Sequence, residues 1–202
     1  MSIRKFSTAS ISAGTNKSTK LWDQETFQSG MFTIATAVAG ANGDYFDFNN
    51  IPQNFTHLQL RVTGAGSYNP GGSGYIETWL GLNNTGTYPT AGYTHRVWGD
   101  GSGSATSAAT SQTSLLATPW LPYGFADEYV GSYIVDILDY TSTSKFKTIR
   151  CQGGYDANGS GLIGFISGYS NITAAVTQIR VAHNAGGFKA GGRCALYGIK
   201  AA

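Results

Sequence analysis

The chain has 202 residues, only 12% of them charged, and a formal net charge of +2. This length suits one domain, with or without an appendage, and such a chain buries about 70% of its unfolded surface, so the core needs no metal or disulfide. Glycine accounts for 28 residues and aromatic side chains for 13%, which is typical of short strands joined by tight turns. No window shows a sustained 3.6-residue apolar period, which disfavours helices.

The charge is distributed unevenly along the chain. The first twenty residues carry four basic residues and no acid, which leaves nine Lys and Arg against eleven Asp and Glu from Leu21 onward. The slightly acidic remainder gives no electrostatic reason to expect nucleic-acid binding. The start MSIRKFSTAS lacks a secretory signal, and no apolar run approaches the about 20 residues that span a bilayer. We therefore expect a protein made in the cytoplasm and not bound to a membrane.

Residues 1–30 differ in composition from the rest of the chain. They are rich in Ser, Thr and Lys and bury too little apolar surface to fold alone. One interpretation is a disordered tail. The interpretation that we prefer is an extended arm of on the order of 100 Å that docks on a neighbouring subunit through aromatic anchors, since aromatic residues dominate binding hot spots. The expected contact residues are Arg4, Lys5, Phe6, Lys17, Lys20, Trp22 and Phe27.

Short strands are predicted from Met31 onward. His57 to Thr63 is the clearest, because inward apolar residues alternate with polar ones. In the strand predicted from Tyr75 to Leu82, Tyr75, Glu77 and Trp79 occupy the face opposite to Ile76, Leu80 and Leu82. The low-complexity stretch Gly99 to Ser114 is predicted as an exposed loop. Further strands of this half are predicted near Phe32 to Val38, at Asp44 to Phe48, at Tyr93 to Trp98, and at Leu115 to Trp120, the last stopped by Pro119 and Pro122.

The stretch Ile134 to Tyr155 is predicted as two strands joined by the polar turn Asp139 to Ser144. Later strands are predicted at Leu162 to Ile166, Gln178 to Ala182 and Cys194 to Ile199, with a helical turn or a loop at Ile172 to Ala175. Roughly ten short strands without intervening helices predict an all-β fold and an antiparallel β-sandwich. Because the strands number eight or more and have long connections, a jelly roll is favoured over a meander barrel.

Candidate chemical motifs are few, and no catalytic, cofactor-binding or metal-binding residue is predicted. His57, His95 and His183 have no spacing that would place two metal ligands on one face, so each is expected on the surface or in a loop. Asp156 to Gly161 resembles a calcium loop, but the further carboxylates are missing and Asn-Gly predicts a tight turn. The glycine-rich Gly99 to Gly103 is not followed by the Lys-Ser/Thr of a phosphate loop.

Two other residue groups need an interpretation. Cys151 and Cys194 are expected to be reduced, packed thiols, although a disulfide between their strands remains an alternative. Aromatic residues on the more polar strand faces or in loops form either an outer sugar-stacking or subunit-contact surface, or ordinary second-face packing. These residues are Tyr68, Tyr75, Trp79, Trp98 and Trp120.

Four stretches carry a resemblance to a known family. They are Phe32 to Arg61, Leu80 to Gly103, Ile134 to Val181, and Phe188 to Lys200 with its LYGIK ending. In this order they resemble virion structural proteins of tailed bacteriophages, a family described as virion, capsid-decoration or tail-fibre proteins. The likeness covers most of residues 31–202, does not involve the two cysteines, and says little about residues 1–30.

The resemblance implies a non-enzymatic virion protein, with a sandwich domain at residues 31–202 behind the arm at 1–30. The expected role is capsid decoration or attachment to the tail, with the arm on other virion proteins and the sandwich in a homo-oligomer, a trimer being favoured. The alternative is a receptor-binding tail fibre or spike tip that holds a host surface glycan. A secreted lectin lacks a signal peptide, and no spacing of acids marks a glycosidase.

Overall fold

A computed structural model of the chain describes residues 19–20, 26–27, 30–67, 74–83, 92–99, 104–109, 116–124, 129–159, 161–183 and 186–200. Every regular element in these ranges is a β-strand. The described residues contain no helix with the length and apolar character needed to cross a membrane. The strands are β1 (Thr19–Lys20), β2 (Thr26–Phe27), β3 (Met31–Val38), β4 (Phe46–Phe48), β5 (His57–Gly64), β6 (Gly74–Leu82), β7 (Gly92–Gly99), β8 (Ser104–Ala109), β9 (Leu116–Tyr123), β10 (Gly131–Ile137), β11 (Lys147–Asp156), β12 (Gly161–Ser170), β13 (Ile179–His183) and β14 (Arg193–Ile199).

These strands form one short ribbon and two larger sheets. β1 pairs only with β2 among the described strands. The larger sheet has eight strands in the order β3-β14-β5-β10-β11-β12-β7-β8, and the smaller sheet has four in the order β4-β13-β6-β9. Each ladder between these strands is antiparallel. The predicted all-β class and antiparallel pairing are therefore confirmed.

A single hydrophobic cluster joins the two sheets. From the larger sheet, Leu58 and Leu60 of β5 are fully buried, as their alternation predicts. From the smaller sheet, Phe46 and Leu80 belong to the same cluster. Each such side chain contributes about 1.5–3 kcal/mol on full burial, so the inward faces of both sheets supply the main stabilising force.

The predicted hairpin between Ile134 and Tyr155 is confirmed as β10 and β11. Its register pairs Ile134 with Gln152 and Asp136 with Arg150. The next hairpin, β11–β12, closes through Asn158 (φ 59°) and Gly159 (φ 92°), whose N–H donates to Asp156 Oδ1 at 3.0 Å. Positive φ at two successive residues favours Asn-Gly, and the predicted tight turn is confirmed.

Two predicted boundaries in the middle of the chain are wrong. The strand expected to stop at its prolines continues as β9 through Pro119 and Pro122. β9 is an edge strand, where a residue without an N–H is tolerated. The stretch predicted as a loop from Gly99 to Ser114 contains β8, which pairs with β7. Its Ser, Ala and Thr residues show no apolar alternation, so only the backbone pairing with β7 identifies it as a strand.

A buried lysine connects the β10–β11 turn to a distant loop. Lys147 opens β11 with no exposed surface. Its Nζ donates to the carbonyl oxygens of Ser142 at 2.6 Å, Lys145 at 2.9 Å and Thr173 at 2.9 Å. An ammonium group has three donors, so each one is used. Burial lowers the pKa of Lys147, and the nearby Asp139 carboxylate partly opposes that shift.

Residues 171–178, the loop that carries Thr173, run from β12 in the larger sheet to β13 in the smaller one. The helical turn considered for Ile172 to Ala175 is a loop. It is tied down by hydrogen bonds at further points: Val176 N–H donates to Tyr140 O at 2.8 Å, and Asn83 Nδ2 donates to Ala175 O at 2.7 Å. Side chains and backbone groups from three parts of the chain thus hold the crossing between the sheets.

Replacing Lys147 with Met should destabilise the protein, because the apolar side chain fills the site but leaves carbonyl oxygens unpaired. Each buried acceptor without a partner costs about 1–3 kcal/mol. Urea unfolding followed by tryptophan fluorescence should show a lower midpoint for Lys147→Met. Lys145→Met is the matched control, since Lys145 is exposed and only its backbone carbonyl takes part. Equal midpoints for the two variants would refute the structural role of the ammonium group.

Candidate binding groove

The outer face of the larger sheet carries a shallow groove of about 450 Å³. It crosses four neighbouring strands, β5, β10, β11 and β12. The outward side chains that line it are Arg61, Thr63, Ser132, Ile134, Gln152, Ile163 and Phe165. Pockets that hold small ligands typically measure about 300–1,000 Å³, so the groove is large enough for a ligand of modest size.

The strand register explains why these side chains meet. Ile134 pairs with Arg61 on one side and with Gln152 on the other, and Gln152 pairs with Phe165. In the adjacent row, Gly154 separates Ser132 from Ile163. No side chain therefore stands between Ser132 and Ile163 in this row. A Cβ on Gly154 would collide with the carbonyl of Leu162, so the backbone approach requires glycine there.

One wall of the groove is unusually apolar for a surface. Ile163 and Phe165 point away from the core, and their side chains are 60% and 55% exposed. Their strand, GLIGFISGYS, also buries Leu162 and Ile166, so it is apolar on both faces. Scattered single apolar residues need no explanation, but adjacent exposed ones mark candidate contact sites.

A hydrogen-bond network orders the opposite wall. Arg61 Nε donates to Gln59 Oε1 at 2.9 Å, and Gln59 Nε2 donates to Asp136 Oδ1 at 2.8 Å. The Arg61 guanidinium also lies over the ring of Tyr197, with its carbon 5.3 Å from the ring centroid. These contacts hold the guanidinium on the β14 side of the groove, and Ile134 of β10 lies between Arg61 and Gln152 in the strand register.

The lining determines which chemistry the groove offers. Its side chains supply a stacking surface at Phe165, an amide at Gln152 and hydroxyls at Thr63 and Ser132. Among the lining residues there is no carboxylate, histidine or thiol that could act as a general base. The arrangement is suited to holding a ligand by stacking and hydrogen bonds.

The aromatic residues singled out from the sequence lie elsewhere. Tyr75 is exposed and Trp79 is half-buried on β6, and Trp120 belongs to the neighbouring strand β9 of the same smaller sheet. Trp98 belongs to β7 in the larger sheet, while Tyr68 lies outside the described residues. None of the residues that line the groove was singled out from the sequence. For Ile163 and Phe165, the available signal was an apolar residue at two successive outward positions of their strand.

The predicted arm contacts fall mostly outside the described residues. Arg4, Lys5, Phe6, Lys17 and Trp22 are among those not described. Lys20 and Phe27 belong to the ribbon, where Lys20 pairs with Thr26 and Phe27 with Thr19. The docking of the arm stays a prediction.

The two cysteines are free and buried, as expected. Cys151 is on β11 and Cys194 is on β14, two strands separated in the sheet by β5 and β10. Burial raises the pKa of both thiols well above the ordinary value, and for Cys151 the nearby Asp136 adds to the rise. Reactive cysteines need a lowered pKa and access to solvent, so both thiols act as packing residues.

The expectation of a surface or loop position is wrong for His183. It is only 5% exposed, its ring meets Phe188 edge-on with centroids 4.1 Å apart, and neither nitrogen has a hydrogen-bond partner among the described residues. Burial lowers its pKa to about 3. By contrast, His57 is partly exposed and its Nδ1 accepts a hydrogen bond from the backbone N–H of Asp139 at 3.0 Å. The side chain of His95, on β7, is not among those described.

Within the described ranges, no three His, Cys, Asp or Glu residues group as metal ligands would. No family model, no curated protein and no solved structure matches the chain.

The burial of His183 predicts a loss of stability in acid. Its folded pKa of about 3 lies below the ordinary value of 6.5, so the unfolded chain takes up the proton first as the pH falls through that window. Between about pH 7 and about pH 4 this group should cost roughly 3 kcal/mol. Urea unfolding at both pH values should show that His183→Met loses less stability than the wild type. An identical loss in the two proteins would contradict the assignment.

Proposed function

We propose that this chain is a non-enzymatic structural protein of a bacteriophage virion, a capsid decoration or small tail-attached protein whose body is a β-sandwich of jelly-roll type. The observation that carries the proposal is the order of eight strands in the two sheets. Jelly rolls are common among viral capsid proteins, and also occur in lectins and cupins. The resemblance of four stretches to phage virion proteins favours the first of these classes.

The eight strands are β3, β4, β5, β6, β9, β10, β13 and β14. Counted along the chain, the first, eighth, third and sixth are neighbours in the larger sheet, and the second, seventh, fourth and fifth form the smaller sheet. A jelly roll, in which two Greek keys wrap around one core, has this order. The other strands, β7–β8 and β11–β12, are hairpins inserted in two connections, and they widen the larger sheet beyond β10.

In this proposal, residues 1–30 anchor the protein and residues 31–202 form a homo-oligomer, with a trimer favoured. The first twenty positions carry basic residues and no acid. Their positive charge would attract the arm to an acidic surface of a neighbouring virion protein. The protein would be made in the host cytoplasm and reside in the virion. No step of this role needs a catalytic residue or a cofactor.

Deleting residues 1–29 should abolish incorporation into particles while the body stays folded. This deletion keeps Gly30, whose carbonyl accepts a hydrogen bond from Lys200 N–H at 2.9 Å. Particles assembled with the full-length or the truncated protein would be purified and their protein content measured by mass spectrometry. Far-ultraviolet circular dichroism of the truncated protein is the control for folding. Normal incorporation of a folded, truncated protein would refute the anchoring role.

The same particles distinguish the two virion locations. A capsid decoration protein should be present in proportion to the shell subunits, whereas a tail protein should be present in far fewer copies. Quantitative mass spectrometry against the major shell protein measures this ratio.

A second candidate function is favoured by the groove. In a receptor-binding tail fibre or spike tip, the exposed Phe165 ring would stack on a sugar of the host surface, and Gln152 and Arg61 would hydrogen-bond its hydroxyls. The size and the polar rim of the groove support this alternative.

If the groove holds a glycan, Phe165→Ala and Gln152→Ala should each weaken binding tenfold or more, which corresponds to about 1.4 kcal/mol. Binding would be measured on immobilised bacterial surface polysaccharides by biolayer interferometry. Phe146→Ala is the matched control, because Phe146 is also exposed but stacks on Tyr169 outside the groove. Absence of wild-type binding, or equal losses in all three variants, would dismiss this candidate.

A further inference from the structure

The chain contains two Asn-Gly pairs, Asn42–Gly43 and Asn158–Gly159, and each stands in the tripeptide Ala-Asn-Gly. This dipeptide is chemically labile, because the glycine has no side chain to keep its amide nitrogen away from the asparagine side chain. Both asparagines are exposed. Since the local sequences match, a difference in reactivity between the two pairs has to come from the fold.

The pair Asn42–Gly43 is held at both of its reacting groups. Asn42 Oδ1 accepts a hydrogen bond from Ala190 N–H at 2.9 Å, and Gly43 N–H donates to Phe188 O at 2.9 Å. Phe188 itself has no exposed surface, and its ring packs against that of Phe46. Any rearrangement of this pair therefore breaks bonds to a segment that is anchored in the core, which makes local opening costly.

The pair Asn158–Gly159 lies at the free end of the β11–β12 hairpin, beyond the last pair of the ladder, Asp156 with Gly161. Among the described residues, its only hydrogen bond joins Gly159 N–H to Asp156 Oδ1 at 3.0 Å. A Cβ built on Gly159 would meet no other part of the described chain within 4 Å. An exposed turn with so few contacts opens at low cost in free energy.

We propose that Asn158 is a site of spontaneous deamidation and that the fold protects Asn42 from the same reaction. Gly159 N loses its proton to a base in the solvent and attacks Cγ of Asn158. A bond forms between these two atoms, the bond from Cγ to Nδ2 breaks, and Nδ2 takes up a proton and leaves as ammonia. Water then opens the cyclic imide at either carbonyl carbon, which gives aspartate or isoaspartate. The reaction consumes only water.

Asp156 restrains this reaction in two ways. Its carboxylate holds the Gly159 N–H, and this hydrogen bond must break before the proton can pass to the solvent. Its negative charge also disfavours the deprotonated form of the nitrogen, because a nearby like charge opposes ionisation. Asp156 thus acts as a positioning residue that keeps the turn closed and the nitrogen protonated.

Deamidation would change the end of the hairpin that supplies two strands of the groove. A new carboxylate at position 158 stands two residues from Asp156, and the two negative charges repel each other. Isoaspartate also adds a methylene group to the main chain of the turn. Ile163, which lines the groove, pairs with Gly154 only two positions from the end of the ladder. The inference depends neither on the virion role nor on glycan binding.

The test incubates the full-length, folded protein at mildly alkaline pH and follows both asparagines by peptide mapping with mass spectrometry. Asn158 should be converted severalfold faster than Asn42, with a matching release of ammonia. In the protein unfolded by urea the two rates should become similar, because the tripeptides are identical and the restraints of the fold are gone. Equal rates in the folded protein, or an Asn158 that stays intact, would overturn the proposal.

Two variants test the restraint by Asp156. Asp156→Ala removes the hydrogen bond and the charge, so it should raise the rate at Asn158 severalfold. Asp44→Ala is the matched control, because Asp44 Oδ2 accepts a similar bond from Ala41 N–H at 2.9 Å and should leave that rate unchanged. Circular dichroism checks that both variants are folded. A rate at Asn158 that is unchanged or lower in folded Asp156→Ala would refute the restraining role.

Discussion

The buried ammonium group of Lys147 is the constraint on which the arrangement of the two sheets depends most visibly. Its three donors are used by three carbonyl oxygens. Two of these belong to the β10–β11 turn, and the third belongs to the loop that leads to β13. A charge without exposed surface is costly unless its donors are satisfied. The turn and the loop must therefore lie together, and this requirement holds the crossing from the larger sheet to the smaller one.

The register of the β10–β11 hairpin also determines which side chains lie on the outer face of the larger sheet. Its register places Ile134 beside Gln152, and β12 continues that row with Phe165. A slip of one residue would exchange the buried and exposed faces of a strand, so the core residues Ile149 and Cys151 hold the groove residues outward. The groove is thus a by-product of core packing on the other side of the sheet, and the β11–β12 hairpin supplies two of its four strands.

The groove on the outer face of the larger sheet combines two kinds of contact. Phe165 presents an exposed ring, and Gln152, Thr63 and Ser132 present hydrogen-bonding groups. Aromatic stacking and hydrogen bonds of this kind are what a small polar ligand with an apolar face needs.

The sequence by itself determined the all-β class and the strands whose side chains alternate, such as β5, because a period of two is a local property. It also determined the Asn158–Gly159 turn, which depends on the backbone freedom of two residues. Only the tertiary structure decided the burial of Lys147 and His183, the passage of β9 through its prolines, the existence of β8, and the groove around Phe165. Each of these depends on partners far away in the chain, since a carbonyl, a ring or a neighbouring strand must be in place before the local residue can be interpreted.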